Sequence, residues 1–448
     1  MPNGRFFRLA LDKEIFSLAW PVIISNLLQT VTMFVDLLMV GQLGHEALAA
    51  VGLGSQVLFF IWAIMMGLST GTIAIVARRS GEGDTNRADN VLKQSVVLGV
   101  LISIPVALLG SFFGYQMLSV FGAEEQVVSL GYEYISLLFL ASPAIFVFFI
   151  ASSALRGVGD TKTPLYVSAL LNLINFIMNY CLIFGNFGFP QLGVRGAALG
   201  TTIAFAISLL VYVILLRRKS SRIHLKREGA YFTLDTIRSI LHIGTPSALE
   251  QALIQFGFVV YIAFIVSFGT EALAAHNIGA RIQSLAFMPG FGFAIATTTM
   301  VGQSLGSKEP DKAEKSGWEG SKLSFITMTS TGLLMVILAD PISKLFTTDN
   351  IVLALSNDWI ALLALATPAV GIHFTMAGGL QGAGDTRWPL YVSFIGLYIV
   401  RLPLAYFLGF MTPLGVQGVW LSMSLEYYVR AAIITNRFRK GKWKKISV

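Results

Sequence analysis

RGVGDTKTPLYVS, residues 156–168, returns as QGAGDTRWPLYVS at 381–393. The same separation of 225 residues divides HEALAA at 45–50 from TEALAA at 270–275, and Pro21 from Pro246. LGVRGAA at 192–198 returns as LGVQGVW at 414–420 after a slip of three residues. Self-similarity at one offset along the whole chain marks a duplicated unit. Each copy holds six long apolar runs, so the chain reads as twelve spans, the first being Ser17–Gly41.

The composition sets the solvent. Of 448 residues, 55% are hydrophobic and 12% charged, with a mean hydropathy of +0.71, a balance that suits lipid and not water. The expected fold is an all-α polytopic membrane protein, its twelve transmembrane helices forming two six-helix bundles. Six is an even number, so both copies enter from the same side, and a pseudo-two-fold axis along the membrane normal relates them. The expected domains are an N-terminal lobe (1–216), a linker with a short amphipathic helix (217–243), a C-terminal lobe (244–436) and a basic tail (437–448).

The net charge of +8 is a topology signal. Arg78, Arg79, Arg87, Lys93, Arg156, Lys162, the basic residues after span six and the tail RFRKGKWKK all fall on one side, which the positive-inside rule makes cytoplasmic. A multi-pass protein of the cell inner (plasma) membrane with both termini cytoplasmic is expected, surrounded by lipid, monomeric and without a nucleic-acid partner. The polar, basic start MPNGRFFRLALDKE does not read as a cleavable signal. A single cysteine, Cys181, leaves no disulfide within the chain and no Cys-based metal site.

Asp36 interrupts the first apolar run. A carboxylate at a helix centre costs about 2.5–3.5 kcal/mol on insertion scales, so it should face a partner or a water-filled cavity. Span five carries Asn172, Asn175 and Asn179, whose i, i+3, i+7 spacing puts three amides on one helical face. Thr201 and Thr202 of span six lie at a similar depth, at about 1.5 Å of rise per residue. Amides and hydroxyls around one carboxylate bind a proton or a small hard cation such as sodium, and spacing does not choose between them. At the 225 offset Asp36 becomes Tyr261, while Asn172, Asn175 and Asn179 become Leu397, Val400 and Leu404, which places one coupling site in the first copy.

The second copy carries Glu250, Arg401 and Glu426 inside its spans. Arg401 and Glu426 fall at similar depth in oppositely directed spans, so they are expected to pair. The two GDT loops read as tight turns with a helix cap and not as phosphate cradles. No nucleophile and base, metal cluster or cofactor motif appears in any span, so neither an enzyme nor a cofactor is expected.

The first-span pattern PVIISNLLQTVTMFVDLLMVGQLG, the following EALAAVGLGSQ, the RGVGDTKTP loop and the duplication together resemble the multidrug and toxic compound extrusion (MATE) transporters, the DinF-like branch most of all. The resemblance covers essentially the whole chain. It implies antiport: a cation moving inward drives export of amphiphilic or cationic organic compounds by alternating access. It also implies that Asp36, Asn175, Asn179, Thr201 and Thr202 hold the coupling cation, with Asp36 as a protonation switch. Where archaeal relatives have a second acidic residue in span five, this chain has Asn179, which favours a proton over sodium. Span seven has Glu250, as in the NorM-like branch, but span ten lacks that branch's aspartate. Substrate contacts are expected at Asp36, Gln29, Met33, Asn172, Tyr261 and Glu250. The alternatives are a sodium-coupled drug antiporter and a lipid-linked precursor flippase.

Overall fold

The computed structural model describes residues 4–218, 221–225 and 233–446, and among them there is no strand. Apolar runs of this length become helices because a backbone in lipid must satisfy its own hydrogen bonds. In the first copy the spans are α1 (Gly4–Gly41), α2 (His45–Gly81), α3 (Thr85–Ser119), the pair α4 (Glu125–Leu140) and α5 (Ser142–Gly157), α6 (Lys162–Phe184) and α7 (Gly193–Arg217). In the second they are α8 (Leu234–Val266), the pair α9 (Thr270–Ala286) and α10 (Met288–Gly306), α11 (Pro310–Lys344), α12 (Asn350–Gly382), the interrupted span α13 (Arg387–Phe394) and α14 (Leu402–Phe410), and α15 (Gly415–Arg439). α4 and α5 meet at a bend of 53°, with Pro143 in the first turn of α5. Eleven of these spans pass as apolar enough to cross a membrane when that bent pair counts as one. α15 does not, because Glu426, Arg430 and its tyrosines dilute its hydropathy.

By contacts the chain divides into one unit of Ile24–Ala248 and another of Met1–Ile23 with Leu249–Val448. The division falls inside α1 and α8, two or three residues past Pro21 and Pro246, where each helix lacks a backbone donor. In the second unit Leu11, Ile15, Leu18 and Ala19 of α1 pack on Phe293, Ala296 and Met300 of α10. In the first, Ile240, Gly244 and Ala248 of α8 lie against Gly67 and Gly71 of α2, an approach that only glycine permits. Residues 234–243 of the expected linker form the opening turns of the long helix α8, while residues 219–220 and 226–232 lie outside the described residues.

The linker is tied down within its unit. The His224 N–H donates to Asp89 Oδ1 (2.6 Å), and both the N–H and the hydroxyl of Thr233 donate to Gln94 Oε1 (3.1 and 2.8 Å). The basic tail is likewise packed: Trp443 is fully buried and stacks on Phe438, while Lys444 reaches Glu314 at 2.6 Å. Of the two GDT turns, Asp160 caps α6 by accepting from the N–H (3.0 Å) and hydroxyl (2.7 Å) of Thr163. Asp385 instead accepts two bonds from Arg437, at 2.9 and 2.7 Å. Gly159 and Gly384 take φ of 83° and 87° in these turns, the left-handed region that glycine adopts without strain.

Within this span the duplicate register also breaks. α6 has 23 residues and its copy Arg387–Phe410 has 24. The extra residue sits in a π segment, Ile395–Arg401, where the Leu402 N–H reaches back five residues to the Leu397 carbonyl. Pro403 supplies the cause, since it has no N–H for the Ile399 carbonyl and its ring crowds that oxygen.

Candidate functional site

α1 and α6 bring the site together. Asp36 is half-buried, while Asn175 and Asn179 are 3% and 0% exposed. Asn179 Nδ2 donates to Asp36 Oδ1 at 2.7 Å. The Asn175 amide lies 3.0 and 3.2 Å from the two carboxylate oxygens and 3.0 Å from the Thr201 hydroxyl. The orientation that satisfies these neighbours turns its NH2 toward Asp36 and its carbonyl toward Thr201. Among the described residues Asp36 meets amides, and no ion pair reaches it.

This arrangement leaves one acceptor over. Asn179 Oδ1 is buried without a hydrogen-bond partner, and it occupies the space a side chain on Gly200 would fill. Buried acceptors are rarely left unmade, so this atom marks where the network can rearrange. Thr202 turns back on its own helix and donates to the Ala198 carbonyl at 2.8 Å. Asn172 Nδ2 is buried with no partner. Gln29 and Met33 are exposed on α1, respectively about two turns and one turn before Asp36.

The remaining expected residues lie in the other unit. Tyr261 is fully buried and donates to the Val419 carbonyl at 2.9 Å. Glu250, 6% exposed, accepts from the Ser393 hydroxyl at 2.6 Å. Arg401 donates to Glu426 Oε2 at 2.7 Å, the pairing that depth suggested, and Arg430 Nε closes on Glu426 Oε1. His373 is buried among Phe374 and Tyr427.

Tyr134 of α4 was missed by the sequence reading. It packs against the buried cluster that holds Met39 and Val40 of α1, and it belongs to the electrostatic surroundings of Asp36. One signal in the sequence could have pointed to it: its counterpart at the 225 offset, Trp359, is also aromatic.

A family model, MatE, matches the chain twice, over residues 21–181 and 246–407. A protein named probable multidrug resistance protein NorM, from Thermotoga maritima, is 30% identical over 98% of this chain and 94% of its own length. A protein of the same name from Photorhabdus laumondii is 30% identical over 94% of each chain. The solved outward-facing conformation of a multidrug resistance MATE family transporter of the MOP superfamily superimposes with a TM-score of 0.91. It is 24% identical and is matched over 96% of this chain and 97% of its own.

Proposed function

Because the chain belongs to the MatE family, whose members are multi-pass membrane transporters and not enzymes, we propose that it is an antiporter exporting amphiphilic or cationic organic compounds in exchange for a cation, a proton first of all. The observation that carries this reading is a carboxylate in an apolar helix answered, among the described residues, by neutral amides.

Ionised Asp36 accepts from Asn179 and Asn175 and holds α1 against α6. A proton on the carboxylate converts one acceptor into a donor, so one amide N–H loses its partner. The free Asn179 Oδ1 is the acceptor at hand for the new O–H once that amide turns. Protonation thus favours a second packing of α1 on α6, and a ligand that prefers one packing is exchanged for the proton. Gln29, Met33 and Asn172 lie along the same two helices and supply substrate contacts on this reading, and Tyr261 and Glu250 are proposed as substrate contacts as well. Thr202 joins the ion site on this reading by giving up its bond to Ala198. Asn179 in place of a second carboxylate, and a span ten without one, favour a DinF-like proton site over sodium.

The chain works as a monomer in the plasma membrane with both termini cytoplasmic, two six-span lobes, a linker and a basic tail. Dye efflux from vesicles carrying either a proton or a sodium gradient tests the reading. Native protein driven by the proton gradient, and Asp36→Asn driven by neither, is the expected result. Undiminished export by Asp36→Asn would falsify it, and export under sodium alone at clamped pH selects the sodium alternative.

A further inference from the structure

The second copy of the site is filled with charge of the opposite sign. Spans α6 and α13–α14 begin 225 residues apart, at Lys162 and Arg387, and end 226 apart, at Phe184 and Phe410. Counted back from those ends, the counterpart of Asn175 is Arg401, the last residue of the π segment, and not Val400, and that of Asn179 is the fully buried Ala405 and not Leu404. Asp36 corresponds to Tyr261. Where the first copy sets an amide against a carboxylate, the second sets a guanidinium against a phenol ring.

Arg401 is 1% exposed and sits in a cage. Its guanidinium carbon lies 5.4 Å from the ring centre of Tyr261, 5.5 Å from Tyr427 and 5.7 Å from Phe258. Glu426 accepts from it on the remaining side. Rings around a desolvated cation with one carboxylate are the chemistry by which proteins hold organic cations. Here the occupant is part of the chain. Gly396 completes the fit, because a side chain there would strike Arg430 Nε and Glu426 Oε1.

We propose that Arg401 is a tethered cation that permanently fills the C-terminal copy of the ion site, so that this half of the molecule answers to no exchangeable ion. The comparison rests on reading the Asp36 cluster as the ion site of the first copy. The cage itself does not depend on that reading. The extra residue of the π segment turns the second part of the span by about 100°, the rotation of one helical residue, and this brings Arg401 onto Glu426. Glu426 is thereby shared between two guanidinium groups, and Glu250 is reached from Arg430 through Ser393.

The test uses the full-length chain in detergent and in vesicles. In Arg401→Asn, which restores the residue of the first copy, the cage is empty of its cation. Its unfolding temperature is expected to fall and then to rise by a few degrees, saturably, as methylguanidinium is added against a potassium chloride control. Native protein is expected not to respond, and dye efflux lost in the variant returns severalfold with methylguanidinium. Equal responses of native and variant, or no rescue at all, overturn the proposal. Should Arg401→Asn fail to fold, Arg401→Lys and Arg401→Met decide, since they share length and differ in charge. Retention by Lys with loss by Met supports a tethered cation, and equal behaviour overturns it. None of these readouts requires Asp36 to be the coupling residue, which the efflux of Asp36→Asn measures separately.

Discussion

Asp36 and Glu426 are both carboxylates held inside apolar helices of a duplicated unit, yet their surroundings differ in kind. Asp36 meets two amides from α6 and stays half-buried, with Thr201 behind them. Glu426 is fully buried and is claimed by Arg401 and by Arg430 one turn along α15. Amides stabilise an ionised carboxylate by dipoles alone, so a proton or a cation can still come and go. Two guanidinium groups carry full charge and leave nothing for a mobile ion to add. A buried pair of this kind is weak evidence for stability, because the desolvation of each charge offsets the attraction. Here the pair joins the end of the π segment to α15. Duplication thus supplied two similar scaffolds, and on the proposed reading side-chain chemistry made one of them switchable.

That contrast can be broken by exchange of single groups. The largest effect is expected from Asp36→Asn, which removes the titrating group and should abolish gradient-driven efflux while the unfolding temperature stays close to native. Glu426→Gln should act the other way round. It leaves two buried guanidinium groups without a full counter-charge, a loss of about 3–5 kcal/mol read by unfolding in detergent. Gly200→Ala comes next: its methyl meets the Asn179 carbonyl, so efflux should fall severalfold with little change in unfolding. The smallest change is expected from Thr201→Ala, which removes one hydrogen bond to the Asn175 carbonyl, about 1 kcal/mol. A large loss of transport in Thr201→Ala with none in Asp36→Asn would reverse the assignment of roles within the cluster.

Much of this was legible before any coordinates. A lone charge in an apolar run is visible by itself, and so Asp36 stood out. The spacing of Asn175 and Asn179 placed both on one face, and the depths of Arg401 and Glu426 were enough to pair them. Tyr134 was hidden, because it carries no charge and lies 98 residues from Asp36 along the chain. The packing of the first turns of α1 on α10, and of α8 on α2, was hidden too, since helix-to-helix partners are chosen by surface shape.

The sequence by itself determined the spans, the duplication and the carboxylate, because lipid forces apolar runs into helices and a repeat needs only comparison of letters. The tertiary structure alone decided which residues of the two copies correspond between Gly396 and Phe410. Counting along the chain presumes a constant number of residues per turn, and the π segment beside Pro403 breaks that presumption by one. A single residue of shift moves a side chain about 100° around the helix. That rotation is why Arg401, and not Val400, stands where the first copy has Asn175.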